Sequence, residues 1–220
     1  LAFAAGKMPL LFQNGVWLED TITGVAATLP GKNSAALSIS NIDITFFIGV
    51  NDVTSAGVRD RFGAVAQNNT KLYGATAFIE ANQGYWEVGY AYTDTQRELA
   101  DQSYHNLGIA FTRRYGGWLS NSVRMISNFG QNRDAGARQN ADGTLLLIEN
   151  SFITKNPTTL VPYLNLFVGF DRPQSVARAA DAGGILKNVG INFETDGLTG
   201  FPRLNDTGNN TWGGAFGVEY

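Results

Sequence analysis

Residues 70–93 hold two short alternating runs separated by two residues, and that spacing sets a register for the chain around it. Thr70 to Ala81 reads TKLYGATAFIEA and Gly84 to Thr93 reads GYWEVGYAYT, with Asn82-Gln83 between them. A two-residue connection between alternating runs is a β-hairpin turn. Pairing Ala81 with Gly84 puts Ile79 opposite Trp86, Ala77 opposite Val88, Ala75 opposite Tyr90 and Tyr73 opposite Tyr92 on one apolar face. The other face pairs Glu80 with Tyr85, Phe78 with Glu87, Thr76 with Gly89 and Gly74 with Ala91, and is smaller and more polar. A slip of one residue would mix the two faces, so the register is strongly specified.

The same two-faced pattern recurs. In Tyr104–Arg114, His105, Leu107, Ile109, Phe111 and Arg113 share one face, and Asn106, Gly108, Ala110, Thr112 and Arg114 the other. After Tyr115-Gly116-Gly117, Leu119, Val123 and Met125 continue the apolar face, broken by Asn121, while Ser120, Ser122 and Arg124 lie opposite. A third hairpin joins Gly143–Thr154 to Thr158–Asp171 through Lys155-Asn156-Pro157. Its outer face carries Leu146, Ile148, Phe152, Leu160, Leu164, Leu166, Val168 and Phe170; its inner face carries Glu149, Ser151, Tyr163, Asn165, Gly169 and Asp171. Leu145, Leu147 and Phe167 also fall inward, against the pattern, and Pro162 removes a ladder donor. Ile185–Glu194 and Thr211–Tyr220 alternate as well, as do Ile44, Phe46, Ile48 and Val50 opposite Asp43 and Thr45. About ten to twelve strands and no long helix are expected. Short turns alternate with the long polar connections 94–103, 130–142 and 172–184, and residues 195–210 break that rhythm.

Charged residues are only 16% of the 220, against roughly 25% in a soluble domain. Their shortage falls on the apolar faces, where a soluble exterior would be dense in Lys, Asp and Glu. The opposite faces hold Gly, Ser, Thr and Asn with scattered Glu and Arg, as a water-filled interior would. Tyr73, Tyr92, Tyr115, Trp118 and Trp86 stand near strand ends, as interfacial aromatic girdles do. No apolar run approaches the ~20 residues of a membrane helix, which leaves short alternating strands as the way to cross a bilayer. The expected fold is therefore an all-β, antiparallel transmembrane β-barrel. Residues 1–220 read as one outer-membrane domain, whole, incomplete at an end, or part of a larger barrel. The opening Leu1-Ala-Phe-Ala-Ala-Gly-Lys-Met reads as a strand without a signal peptide. A net charge of -3 leaves no nucleic-acid footprint.

The strand alternation, the turn-and-loop rhythm and the aromatic strand ends resemble the outer-membrane porins of diderm bacteria. Gly6-Lys-Met-Pro-Leu-Leu-Phe-Gln-Asn-Gly15 is similar to the Gly-[Arg/Lys]-x-Pro strand of some porin and alginate-export-type barrels, with Lys7 where Arg is commoner. The ending Trp212-x-x-x-Phe216-x-Val218-x-Tyr220 resembles the aromatic-ended signal read by the barrel-assembly machinery, and reads equally as any membrane strand. The resemblance implies a bacterial outer-membrane location, the lipid bilayer as partner, passive diffusion of small hydrophilic solutes, and a homotrimer. Two other readings stand beside it. One is a structural or adhesion barrel without an open pore; the other is a soluble carbohydrate-binding β-sandwich, in which one strand face packs a core and the other meets water.

The inward charges Glu87, Arg114, Arg124, Glu149, Asp171, Glu194 and Glu219 are the candidate pore-lining groups, since charges in a pore set its transverse field. Arg114 and Arg124 come from neighbouring strands and would form a basic ladder. Tyr85, Tyr104 and Tyr163 are inward aromatics able to stack on sugar rings, and Tyr163 joins the candidate pore-lining set. His105, the only histidine, falls outward near a strand end, away from the carboxylate and serine that a hydrolytic triad needs. With one His and no Cys, no transition-metal site is expected. The oxygen-rich stretches 132–143 and 204–210 match no EF-hand spacing. No enzyme activity, cofactor or metal is expected.

Overall fold

The computed structural model of the protein describes residues 1–31, 39–50, 69–96, 102–134, 137–140, 142–153, 160–174, 176 and 210–219. They form one antiparallel sheet in which ten strands follow each other in chain order: β1 (Ala2–Phe12), β2 (Leu18–Leu29), β3 (Ile39–Val50), β4 (Asn69–Ala81), β5 (Gly84–Gln96), β6 (Gln102–Tyr115), β7 (Leu119–Asp134), β9 (Gly143–Phe152), β10 (Val161–Asp171) and β11 (Thr211–Glu219). The short β8 (Ala137–Asn140) pairs with the far end of β7. The architecture is all-β, as expected. Closure into a barrel is not seen: in a closed barrel every strand has two partners, whereas β1 and β11 each have one among the described residues.

The β4–β5 register is the one that the turn dictates, from Ala81↔Gly84 through Tyr73↔Tyr92. Asn82 and Gln83 take φ of 56° and 61°, the left-handed pair of a type I′ turn. That turn twists with the strands, which is why two residues suffice. Tyr115↔Leu119 closes the next hairpin, so its three-residue turn is Gly116-Gly117-Trp118, one position later than expected and with the same faces.

Elsewhere the strands differ from the sequence reading. β9 ends at Phe152 and β10 begins at Val161, so the connection around Lys155-Asn156-Pro157 is longer than three residues; residues 154–159 lie outside the described set. The stretch 130–142 is not a plain loop, because β7 runs on to Asp134 and β8 folds back on it. β10 pairs directly with β11, and the expected strand Ile185–Glu194 lies outside the described residues. Both prolines inside strands sit where the ladder tolerates them: Pro9 on the edge strand β1, and Pro162 one position before β10 begins to pair with β9.

The largest departure is at the first hairpin. β1 and β2 pair along their whole length, from Ala2↔Thr28 to Phe12↔Leu18, but β2 pairs with β3 only from Gly24 to Leu29. Beyond Gly24 the hairpin leaves the sheet and folds back across its inner face. Gly6 has φ of 118°, a conformation closed to other residues, and lies opposite Gly24 where the two strands part from β3. Leu10, Val16, Trp17, Leu18 and Ile22 of the hairpin then form one apolar cluster with Phe47, Leu72, Ala91, Ile126, Leu145, Leu147, Phe167 and Val176. The inward leucines and Phe167 that break the alternation in β9 and β10 are the floor of this core.

Candidate functional site

The inner face is a polar frame around that core. The hairpin tip, Gln13–Gly15, is a single 3-10 turn, with φ of 54° at Gln13 and Asn14. It rests on a row of side chains aligned across the sheet by register: Asp43↔Phe78↔Glu87↔Ala110↔Arg124. The Gln13 backbone bridges two of them. Its N–H donates to Glu87 Oε2 at 2.8 Å, and its carbonyl accepts from Arg124 Nη1 at 2.8 Å. Arg124 in turn forms an ion pair with Glu149 through Nε. Its charge is thus neutralised by a neighbouring strand before it reaches the hairpin, and burial of its guanidinium is compensated.

Trp17 goes deepest. Its indole Nε1 donates to Asn106 Oδ1 at 2.6 Å, and the ring lies over Gly89 and Gly108, where any Cβ would collide with it. Asn106 Nδ2 donates to the Gln174 carbonyl at 2.7 Å, Gln174 N–H donates to Asn128 Oδ1 at 2.8 Å, and Val176 N–H donates to the Trp17 carbonyl at 3.0 Å. The chain after β10 is thereby tied to the same hairpin. Between the tip and β3–β5 lies a cleft of about 230 Å³ lined by Phe12, Gln13, Trp17, Asp43, Phe78 and Glu87, among others.

The candidate pore-lining residues divide accordingly. Glu87, Arg124 and Glu149 meet around Gln13. Arg114 is exposed and lies four positions along β6 from Ala110, the partner of Arg124, so the two arginines form no ladder. Tyr163 is half-buried on the same face, against Gly217 of β11. Asp171 lies at the end of β10, where its N–H donates to Asn210 Oδ1 at 3.0 Å. Glu194 lies outside the described residues, as does any account of the Glu219 side chain. Tyr104 is buried, and Tyr85 packs on Phe78 at 5.4 Å between ring centroids. The inner face is therefore not wet throughout, because the hairpin covers its middle. Sequence reading missed Gln13 and Trp17. Their signal was indirect: paired glycines at 89 and 108 on the inner face leave a gap that a ring can fill.

The outer face is different in kind. Tyr73, Tyr92, His105 and Phe129 are successive cross-strand partners and form one aromatic row, with Tyr92 and His105 at 4.8 Å and His105 and Phe129 at 4.9 Å. Tyr90 OH meets His105 Nδ1 at 2.6 Å, so the histidine is held within the row, facing outward as expected. The charged pair Lys71↔Asp94 lies one step beyond it. At the opposite margin Arg113 donates to Gln83 Oε1 and lies over the Tyr115 ring at 5.0 Å, near Trp118 and Phe152. Between these margins no described outer-face residue is Lys, Arg, Asp or Glu, although Phe46, Val123, Leu146, Leu166, Phe170 and Trp212 are exposed. Polar side chains here pair with each other: the hydroxyls of Ser127 and Thr144, within the belt, are 2.8 Å apart, and in the Arg113 row Asn121 Nδ2 donates to Asn150 Oδ1 at 2.8 Å.

The chain matches no protein-family model, no curated protein and no solved structure, so its functional reading rests on this belt and this inner face.

Proposed function

We propose that the protein inserts into a bacterial outer membrane as the wall of a porin-type β-barrel, whose polar interior passes small hydrophilic solutes by diffusion. The observation that carries this reading is the charge-free outer belt. Exposed apolar patches of this extent mark a surface that meets something other than water. From the His105 row to the Arg113 row is eight residues of β6, about 27 Å of strand at ~3.4 Å per residue. At the ~40° tilt usual in membrane barrels that spans about 21 Å, near the ~25 Å apolar band of such proteins. The Ser127–Thr144 pair inside the belt fits a lipid environment too, because unpaired polar groups there are costly. β1 and β11 run antiparallel after an even number of strands, the sense in which two edges pair to close a barrel.

The inward hairpin favours a second reading, a membrane barrel whose interior is plugged and whose role is structural or adhesive. Planar-bilayer recordings of the full chain, folded in detergent, separate the two. Stepwise conductance is the expected result. Insertion into vesicles without conductance would favour the plugged barrel, and solubility of the folded protein without detergent would overturn both.

A further inference from the structure

The cleft between the hairpin tip and β3–β5 has the chemistry of a receptor for one kind of small molecule. We propose that it binds a primary organic ammonium ion with an apolar body. The polar groups lining it are predominantly acceptors. Asp43 and Glu87 share one register row, with Phe78 between them, so their α-carbons are roughly 10 Å apart, two strand spacings. Asp43 makes no hydrogen bond or ion pair among the described residues, and Glu87 accepts only a single backbone N–H on Oε2. Among the described residues no Lys or Arg lines the cleft, and Arg124, which reaches the Gln13 carbonyl, is already matched by Glu149.

A third acceptor is independent of the carboxylates. The Gln13 side chain lines the cleft and is 2% exposed, yet its Oε1 has no hydrogen-bond partner among the described residues. Its Nε2 is occupied by the Glu87 carbonyl. A buried amide oxygen left unmatched costs free energy until a donor reaches it. An ammonium group supplies three N–H donors and no acceptor, the complement of this set. The walls match the remainder of such a ligand. Phe12 and Trp17 pack 6.2 Å apart on one side and Phe78 lies on the other, giving apolar surface and ring faces that attract a cation. A carboxylate or phosphate ligand would meet Asp43 and Glu87 head-on, and a neutral hydroxyl would leave their charge unmatched.

The test is calorimetric titration of the full chain, folded in detergent, with 2-phenylethylammonium and its uncharged isostere 2-phenylethanol. The ammonium is expected to bind about tenfold or more tightly than the alcohol, as charge-assisted hydrogen bonds require. Glu87→Gln keeps an oxygen for the Gln13 N–H and so preserves the hairpin, and Asp43→Asn alters a side chain with no partner to lose among the described residues. Each variant is expected to weaken the ammonium several-fold, leave the alcohol unchanged, and together abolish the preference. Equal binding of the two probes, binding of neither, or an unchanged preference in the double variant would overturn the proposal. The site does not depend on conduction, so it and the channel reading can fail separately.

Discussion

Replacing Trp17 by alanine asks what holds the first hairpin inside the sheet. The indole is fully buried, hydrogen-bonded to Asn106, and seated on the bare backbone of Gly89 and Gly108. A buried tryptophan hides up to ~250 Å², worth at most about 6 kcal/mol at ~25 cal/mol per Å². Alanine retains part of that, and Trp→Ala changes in well-packed cores cost about 3–5 kcal/mol. A loss near 4 kcal/mol is expected, read by urea unfolding of the detergent-folded protein through the remaining tryptophans, Trp86, Trp118 and Trp212.

The sharper reading comes from pairing that change with Gly108→Ala. In an ordinary strand, Gly→Ala stabilises by about 0.4–1 kcal/mol through the unfolded chain. Here the new methyl meets the indole, and overpacking of this sort costs about 1–3 kcal/mol. Gly108→Ala should therefore destabilise the parent protein and become neutral or stabilising once Trp17 is alanine. The sign reversal is specific to contact between the two positions. A coupling energy below about 0.5 kcal/mol, the scatter of independent sites, would mean that Trp17 does not lie on Gly108 and would remove the inward hairpin from the account.

Two further outcomes probe the outer face and the turn. Leu146→Arg, mid-belt, should cost about 2–4 kcal/mol for folding into lipid vesicles, and Val50→Arg, beyond the tyrosine row, at most about 1 kcal/mol; equal costs would mean the belt does not face lipid. Gln83→Gly should stabilise by about 0.5–1 kcal/mol in the same unfolding assay, because φ of 61° strains any residue with a Cβ, and a destabilised variant would show that the bond from Arg113 to Gln83 outweighs the strain.

The parts of this fold that were legible are those set by short-range spacing. The two residues between Ala81 and Gly84 admit one register, and that register alone separates Trp86 and Tyr92 from Glu87 and Ala91. From it the outer belt follows strand by strand, and so does the outward position of His105. Strand ends were less legible, because polar residues such as Gln131 and Asn132 pair in a ribbon as readily as they form a loop. The candidate site was only half legible. Glu87, Arg124 and Glu149 were placed on the inner face by parity, but parity cannot say what covers a face. Alternation in β1 and β2 is the same whether the hairpin lies in the sheet or folds over it.

What parity could not supply, its exceptions could. Leu145, Leu147 and Phe167 are apolar on a face otherwise fit for water, Gly89 and Gly108 are bare where a wall should have side chains, and Gly6 interrupts a strand. Each looks like noise when taken alone. Together they describe a lid with a bend, a ring and a floor: Gly6 is the bend, the glycines receive the Trp17 ring, and the inward leucines with Phe167 are the floor of its core. Sequences agree with their folds at most levels and break a local rule where something else must fit. In this protein the broken rules converge on one element, and it is that element, more than the charged side chains by themselves, that covers the middle of the inner face.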